Sequence, residues 1–183
     1  MTKIELINIA LGRLGESPIQ SLDEGSVPAR AAAIVYDPAR KSALRDYPWS
    51  FALKEADLAR YEVCDSAFFA YSFALPFDCL RVIAVHGSAE YEVAGMTFYT
   101  NTPKVRLKYI ADVDDTGLFD SKFAEAFSYK LASELAMPVK GSAELMASYN
   151  NAYTTLAQDS AVKSERENRQ LLPDNPYVDA RFA

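Results

Sequence analysis

Histidine is almost missing from this chain: His86 is the only one in 183 residues. A serine triad, or a metal site built on imidazoles, would have to rest on that single ring. Beside Gly87 it reads as a loop residue. Cysteine is nearly as scarce. Cys64 and Cys79 are too few for a disulfide framework, and reduced thiols in a cytoplasmic protein are the expected state. No window approaches the roughly 18 uninterrupted apolar residues of a membrane span. The opening "MTKIELINIALG" mixes charged with apolar residues, unlike a secretory leader. Basic residues are outnumbered, 19 Lys and Arg against 25 Asp and Glu, for a net charge of −6. That balance argues against broad affinity for nucleic acid or anionic lipid. Internal repeats and low-complexity tracts are absent too, which argues against solenoids and fibrous arrays.

What remains is half hydrophobic by residue and long enough for one domain with a sizeable core. Thr2 and Glu5 form a capping-box pair ahead of Ile4, Ile7, Leu11 and Leu14 at helical spacing, and Gly15 suits the left-handed cap. A second helix is predicted from near Pro28 to Arg45, with Ala31, Ile34, Val35 and Leu44 inward, a kink at Pro38 and a stop at Pro48. Between Phe51 and Ile110 the period shortens. "AFFAYSFALP", "CLRVIAVHG", "EYEVAGMTFYT" and "KVRLKYIA" read as strands of a small antiparallel sheet, with "VAGMTF" at a hairpin tip. Helix returns with Phe119, Phe123, Phe127, Leu131 and Leu135 on one face, breaks at Pro138 and Gly141, and resumes from Ser142 towards "KSERENR". The last stretch, "QLLPDNPYVDARFA", has two prolines and no period.

Chemistry finds little footing. "DVDDTGLFDSKF" places Asp112, Asp114, Thr116 and Gly117 at the first, third, fifth and sixth positions of a calcium loop. The twelfth position, which needs a bidentate glutamate, is Phe123. "LGRLGES" lacks the lysine of a phosphate-cradling loop. Glu90 and Glu92 alternate along a strand, so both carboxylates are expected on one solvated face, and nothing nearby in sequence argues for a raised pKa. No serine or cysteine sits in a nucleophile elbow. The chain is expected not to be an enzyme and to need no cofactor or metal. A small cytoplasmic metal-binding protein or enzyme using the Asp112–Asp115 turn is the alternative. Two basic groups, Arg40, Lys41 and Arg45 and then Lys163, Arg166 and Arg169, are diluted by acids and read as solvated or subunit-pairing faces.

The order of these pieces resembles a known family. "NIALGRLGESPIQSLDEG", then "ARAAAIVYDPARKSALRDYPWSFAL", "LPFDCLRVIAV", "YEVAGMTFYTN", "LKYIADVDDTGLFDSKFAEAFSYKLASELA" and "GSAELMASYNNAYTTLAQDSAVKSERENR" are similar to tail tubular protein A, the head-to-tail adaptor (connector) of short-tailed bacteriophages and prophages. Order and spacing carry the likeness, over nearly the whole chain. The resemblance implies a mainly α variant of the α+β class: a helical bundle from 1–50 and 112–169, an inserted antiparallel β region at 51–111, and an extended C-terminal arm at 170–183. It implies a virion structural protein at the head–tail junction, assembled in the host cytoplasm. Copies would form a ring, in the family a dodecamer, that binds the portal protein above and the tail nozzle protein below. Double-stranded DNA would pass through during ejection without sequence-specific binding. No membrane is involved. Leu171, Leu172, Tyr177 and Phe182 on the arm are the candidate contacts to portal or neighbouring subunit. Pro48, Trp49 and Phe51 are expected at the seam between bundle and sheet.

Overall fold

The computed structural model describes residues 1–86 and 90–168, with side chains described through Ser160. Helix α1 spans Lys3–Arg13 behind the capping box that the sequence predicts: the Thr2 hydroxyl accepts from Glu5 N, and the Glu5 carboxylate accepts from Thr2 N. Gly15, at φ 69°, turns the chain out of the helix in the left-handed region. Helix α2 covers Val27–Asp46 with Ser26 as its cap and passes through Pro38 as one helix. After a 3₁₀ turn at Ser50–Ala52 the described residues form the strands β1 Leu53–Asp57, β2 Ala59–Arg60, β3 Tyr71–Ala74, β4 Cys79–His86, β5 Tyr91–Ala94, β6 Thr97–Thr100 and β7 Arg106–Ala111. A second 3₁₀ turn at Thr116–Leu118 leads to α3 Ser121–Leu135. A π-type turn at Ala136–Lys140 then precedes α4 Ala143–Asn168.

The strands form two sheets, both antiparallel. One has the order β1-β7-β4, the other β2-β3-β6-β5. The expectation of a mainly helical bundle with a small β insert is therefore corrected: the molecule is α+β, with a well-packed β region built from two sheets. The excess comes from pairing that no local pattern announces. β1 reads "LKEAD", without a β-branched residue, and becomes a strand because Leu53 meets Ile110 and Asp57 meets Arg106 across β7. The predicted alternation on β7 holds at Val105, Leu107 and Tyr109, which are buried, against exposed Arg106 and Lys108; Ile110 is buried as well. The β5–β6 hairpin closes over Gly95 and Met96, and Gly95 has the φ of 60° that a Cβ would oppose.

Helix α3 is the hub of the helical half, packed against α1, α2 and α4. Arg13, at the end of α1, lies over the Tyr129 ring of α3 at 3.6 Å, and its Nε donates to Ser128 Oγ at 3.1 Å. The Tyr149 hydroxyl on α4 donates to the Arg13 carbonyl. α2 faces this hub through Ala29, Ala32, Tyr36, Ala39 and Ala43, spaced three and four apart, and the Tyr36 ring meets Phe127 edge-on at 5.5 Å. Of the residues expected to face inward, Ala31 and Leu44 are buried and Val35 is half-buried, and Ile34 is the exception. Ile34 is 74% exposed, because the alanines claim the contact and rotate it outward. One core runs through both halves, from Leu6 and Leu11 in α1 to Phe73 and Phe98 in the four-stranded sheet.

Tyr153 on α4 is buried, and its hydroxyl donates to Asp46 Oδ2 at 2.8 Å. Burial, then the bond to Asp46, pushes the phenol far above its ordinary pKa. Asp46 is exposed and can be rehydrated. Tyr153→Phe is therefore expected to cost about 1 kcal/mol, the scale of one net hydrogen bond, with the urea midpoint as the readout.

Candidate functional site

Pro48, Trp49 and Phe51 lie at the junction between helices and sheets. Pro48 ends α2, since it has no N–H and its ring blocks a further turn. The chain then enters the 3₁₀ turn, which points Trp49 inward at 1% exposure. Its indole Nε1 donates to the Ala43 carbonyl, an α2 carbonyl near the helix end, at 3.0 Å. The ring meets Phe123 edge-on at 5.0 Å. Phe51, half-buried, lies 5.0 Å from Phe123 and 5.5 Å from Phe119, while Phe123 stacks on Phe127 at 5.5 Å. The edge-to-face geometries are those that aromatic quadrupoles favour. These rings fix α2, the first strand and α3 to one another.

The acidic turn sits beside this cluster, and its carboxylates point apart. Asp112 accepts from the Arg40 guanidinium and lies 3.1 Å from Lys41 Nζ. Arg40 also donates to the Val113 carbonyl. Desolvation alone would raise the Asp112 pKa; the hydrogen bonds from Lys41 and Arg40 outweigh it and hold the carboxyl below its ordinary value. Asp115 is turned the other way, capping the following 3₁₀ turn by accepting from Gly117 N at 2.8 Å. Among the described residues no three carboxylate, imidazole or thiol groups gather as a metal would require. Asp112 and Asp115 thus serve an ion pair and a cap.

Arg40 is the residue that sequence reading misplaces. Expected on a solvated basic face, it is 4% exposed. Its only sequence signal is position, eight residues after Ala32 and one after Ala39, at the margin of the alanine face. A second anchor lies at the near end of the three-stranded sheet, where Asp78 accepts from the Tyr109 hydroxyl at 3.1 Å and pairs with Lys54 at 2.8 Å. Desolvation, followed by the bond to Asp78, pushes the Tyr109 phenol up to about 12.

No protein-family model matches the chain, and no curated protein matches it either. The other sequence-flagged residues scatter. His86 ends β4 opposite Arg106, on a strand and not in the expected loop. Glu92 lies in β5 and Glu90 just before it. Cys64 Sγ donates to the Phe69 carbonyl, and Cys79 opens β4. Leu171, Leu172, Tyr177 and Phe182 lie outside the described residues. Two features carry no local sequence signal: large apolar side chains left in water, and a group of cations around His86. Phe77, between β3 and β4, is 96% exposed, and Phe68, between β2 and β3, is 85% exposed. On α2, Val27 and Ile34 are exposed two helical turns apart, hence on one stripe.

Proposed function

We propose that the protein is a structural head-to-tail adaptor of a bacteriophage virion, whose copies form a ring that joins the portal to the tail and surrounds the passing DNA. The ordered resemblance described above motivates this reading. The observation that carries it is the placement of the uncovered apolar groups. Val27 and Ile34 stand on a helix of one half, while Phe68 and Phe77 stand on loops of the other. Single exposed apolar residues are ordinary, but phenylalanines this bare gain stability only when another surface covers them. Uncovered apolar groups on unlike elements of one chain suit a head-to-tail contact, and such contacts close into a ring when the rotation per copy divides a full turn. In this reading the seam of Pro48, Trp49 and Phe51 keeps the two halves at one fixed angle. The apolar residues Leu171, Leu172, Tyr177 and Phe182 meet the portal or a neighbouring copy, and the tail nozzle protein binds the opposite rim. The role requires no catalysis, cofactor or membrane.

Electron microscopy of the chain mixed with its portal tests the reading. A ring capping the portal, and the chain's presence in purified virions, are expected. Free monomers beside bare portals, with no chain in virions, would overturn it. Deleting residues 170–183 is expected to leave the melting temperature of the isolated chain within a few degrees and to weaken portal docking about ten-fold, or 1.4 kcal/mol. Undiminished docking would remove that segment from the interface.

A further inference from the structure

We infer that the outer face of β7 is a binding trough for the phosphodiester backbone of nucleic acid. Two open clefts, of about 600 and 330 Å³, adjoin there and share His86 and Arg106. Arg60 and Lys104 line the larger cleft, and Lys108 lines the smaller. Strand alternation puts Arg106 and Lys108 on the same side, about 6.6–6.8 Å apart along the chain. Leu107 between them is buried. On the β4 side His86 stands directly across from Arg106 and the small Ala84 across from Lys108, while on the β1 side Asp57 and Glu55 stand across from the same two cations.

The charge is unbalanced. Asp57 and Glu55 are the carboxylates of the trough, against Arg60, Lys104, Arg106 and Lys108. Glu55, across the sheet from Lys108, pairs with Arg106 at 3.3 Å. Among the described residues Arg60, Lys104 and Lys108 have no acid at ion-pair distance. The Arg60 guanidinium lies over the Tyr71 ring at 4.3 Å, which holds its position. In a chain of net charge −6, where acids outnumber bases, these unpaired cations are gathered along one face.

Continuity across both clefts suits a polyanion better than a single small anion. The strand order then separates nucleic acid from an acidic peptide. β7 lies between β1 and β4, so its backbone groups are already spent on its neighbours. A peptide laid along it would gain no main-chain hydrogen bonds, the source of affinity in strand addition. A phosphodiester chain needs only the side-chain cations, and contacts to phosphate carry no base information. The inference stands on the trough alone and requires no ring.

Fluorescence anisotropy of the full chain with a labelled DNA duplex of about 20 base pairs tests it. Neutralising two or three phosphates predicts sequence-independent binding that weakens about 10- to 40-fold between 50 and 200 mM salt. The double variant Lys104→Glu/Lys108→Glu, both exposed positions, is expected to weaken binding at least ten-fold. Arg30→Glu/Lys122→Glu changes the charge equally on exposed helix positions and is expected to have less than a three-fold effect, circular dichroism showing both variants folded. Equal weakening by both pairs would reduce the effect to net charge and overturn the proposal, as would no weakening by the first. Polyglutamate competing as well as unlabelled DNA, or low millimolar inorganic phosphate displacing the duplex, would assign the trough to a peptide or a small anion instead.

Discussion

Replacing Trp49 with alanine is expected to destabilise the protein by about 3–5 kcal/mol, the range for truncating a fully buried large aromatic. For a chain of this size that corresponds to a fall in melting temperature of roughly 8–15 °C. Three losses add. The indole leaves a void against Phe123, whose ring it meets edge-on, and the Ala43 carbonyl loses the donor that satisfies it near the end of α2. The void also sits where α2, the first strand and α3 meet, so no single element can shift to fill it. Trp49→Phe separates these contributions. It keeps most of the packing and removes the N–H, so about 1–2 kcal/mol is expected. Differential scanning calorimetry on the three proteins gives the comparison. Alanine and phenylalanine variants melting together with the parent would show that the indole is not a packing element.

Arg40→Leu has the second large expected effect, about 2–4 kcal/mol near neutral pH. The leucine fits the buried position, but Asp112 loses its shorter partner and the Val113 carbonyl loses a donor. Breaking one side of a buried pair costs more than the pair contributes, because the partner stays behind in a poorly solvated place. Lys41 remains on Asp112 and limits the damage. The pH dependence gives the signature. Asp112 has a folded pKa below its ordinary value, so its contribution is present above the unfolded carboxylate pKa and is lost as pH falls through the folded one. The gap between parent and variant is therefore expected to be full at pH 6–8 and to narrow below about pH 4. Urea titrations across that range, together with Asp112→Asn and the double variant, measure the coupling directly. A gap that stays constant into acid would mean that packing, not the ion pair, carries the cost.

How much could be read without coordinates follows from the range of each interaction. The Thr2–Glu5 cap, the Gly15 turn and the phenylalanine face of α3 are local patterns, legible in a few residues each. The inward face of α2 is legible only in part. Ala31 and Leu44 are buried as their spacing predicts, but the alanines offer little contrast in hydropathy, so Ile34 looks like a core residue and Arg40 like a surface one, and these two are reversed. The amount of sheet is underestimated for a similar reason. β1 and β2 contain charges and alanines, and they are strands only because partners distant in sequence hold them, as Leu53 meets Ile110. The cationic trough is hidden by the same separation, since Arg60, His86 and Lys104 come from three stretches of chain. Its parts were visible singly; their meeting depends on topology.

The clasp between the ends of the helical half has a bearing on biosynthesis. Arg13 leaves the ribosome early, yet its side chain waits for Ser128 and Tyr129, and its carbonyl waits for Tyr149. These closures span 115 and 136 positions. Loops that long slow the search for the native state, and translation adds only about 5–20 residues per second. Until then the first helix has only its early partners, the Ile19 backbone held by Asn8 and α2 through Lys3, Tyr36 and Asp37, and it waits several seconds for the face that α3 covers. Nascent chains halted before α3 should be open to proteases along α1, and those released with α4 complete should resist them.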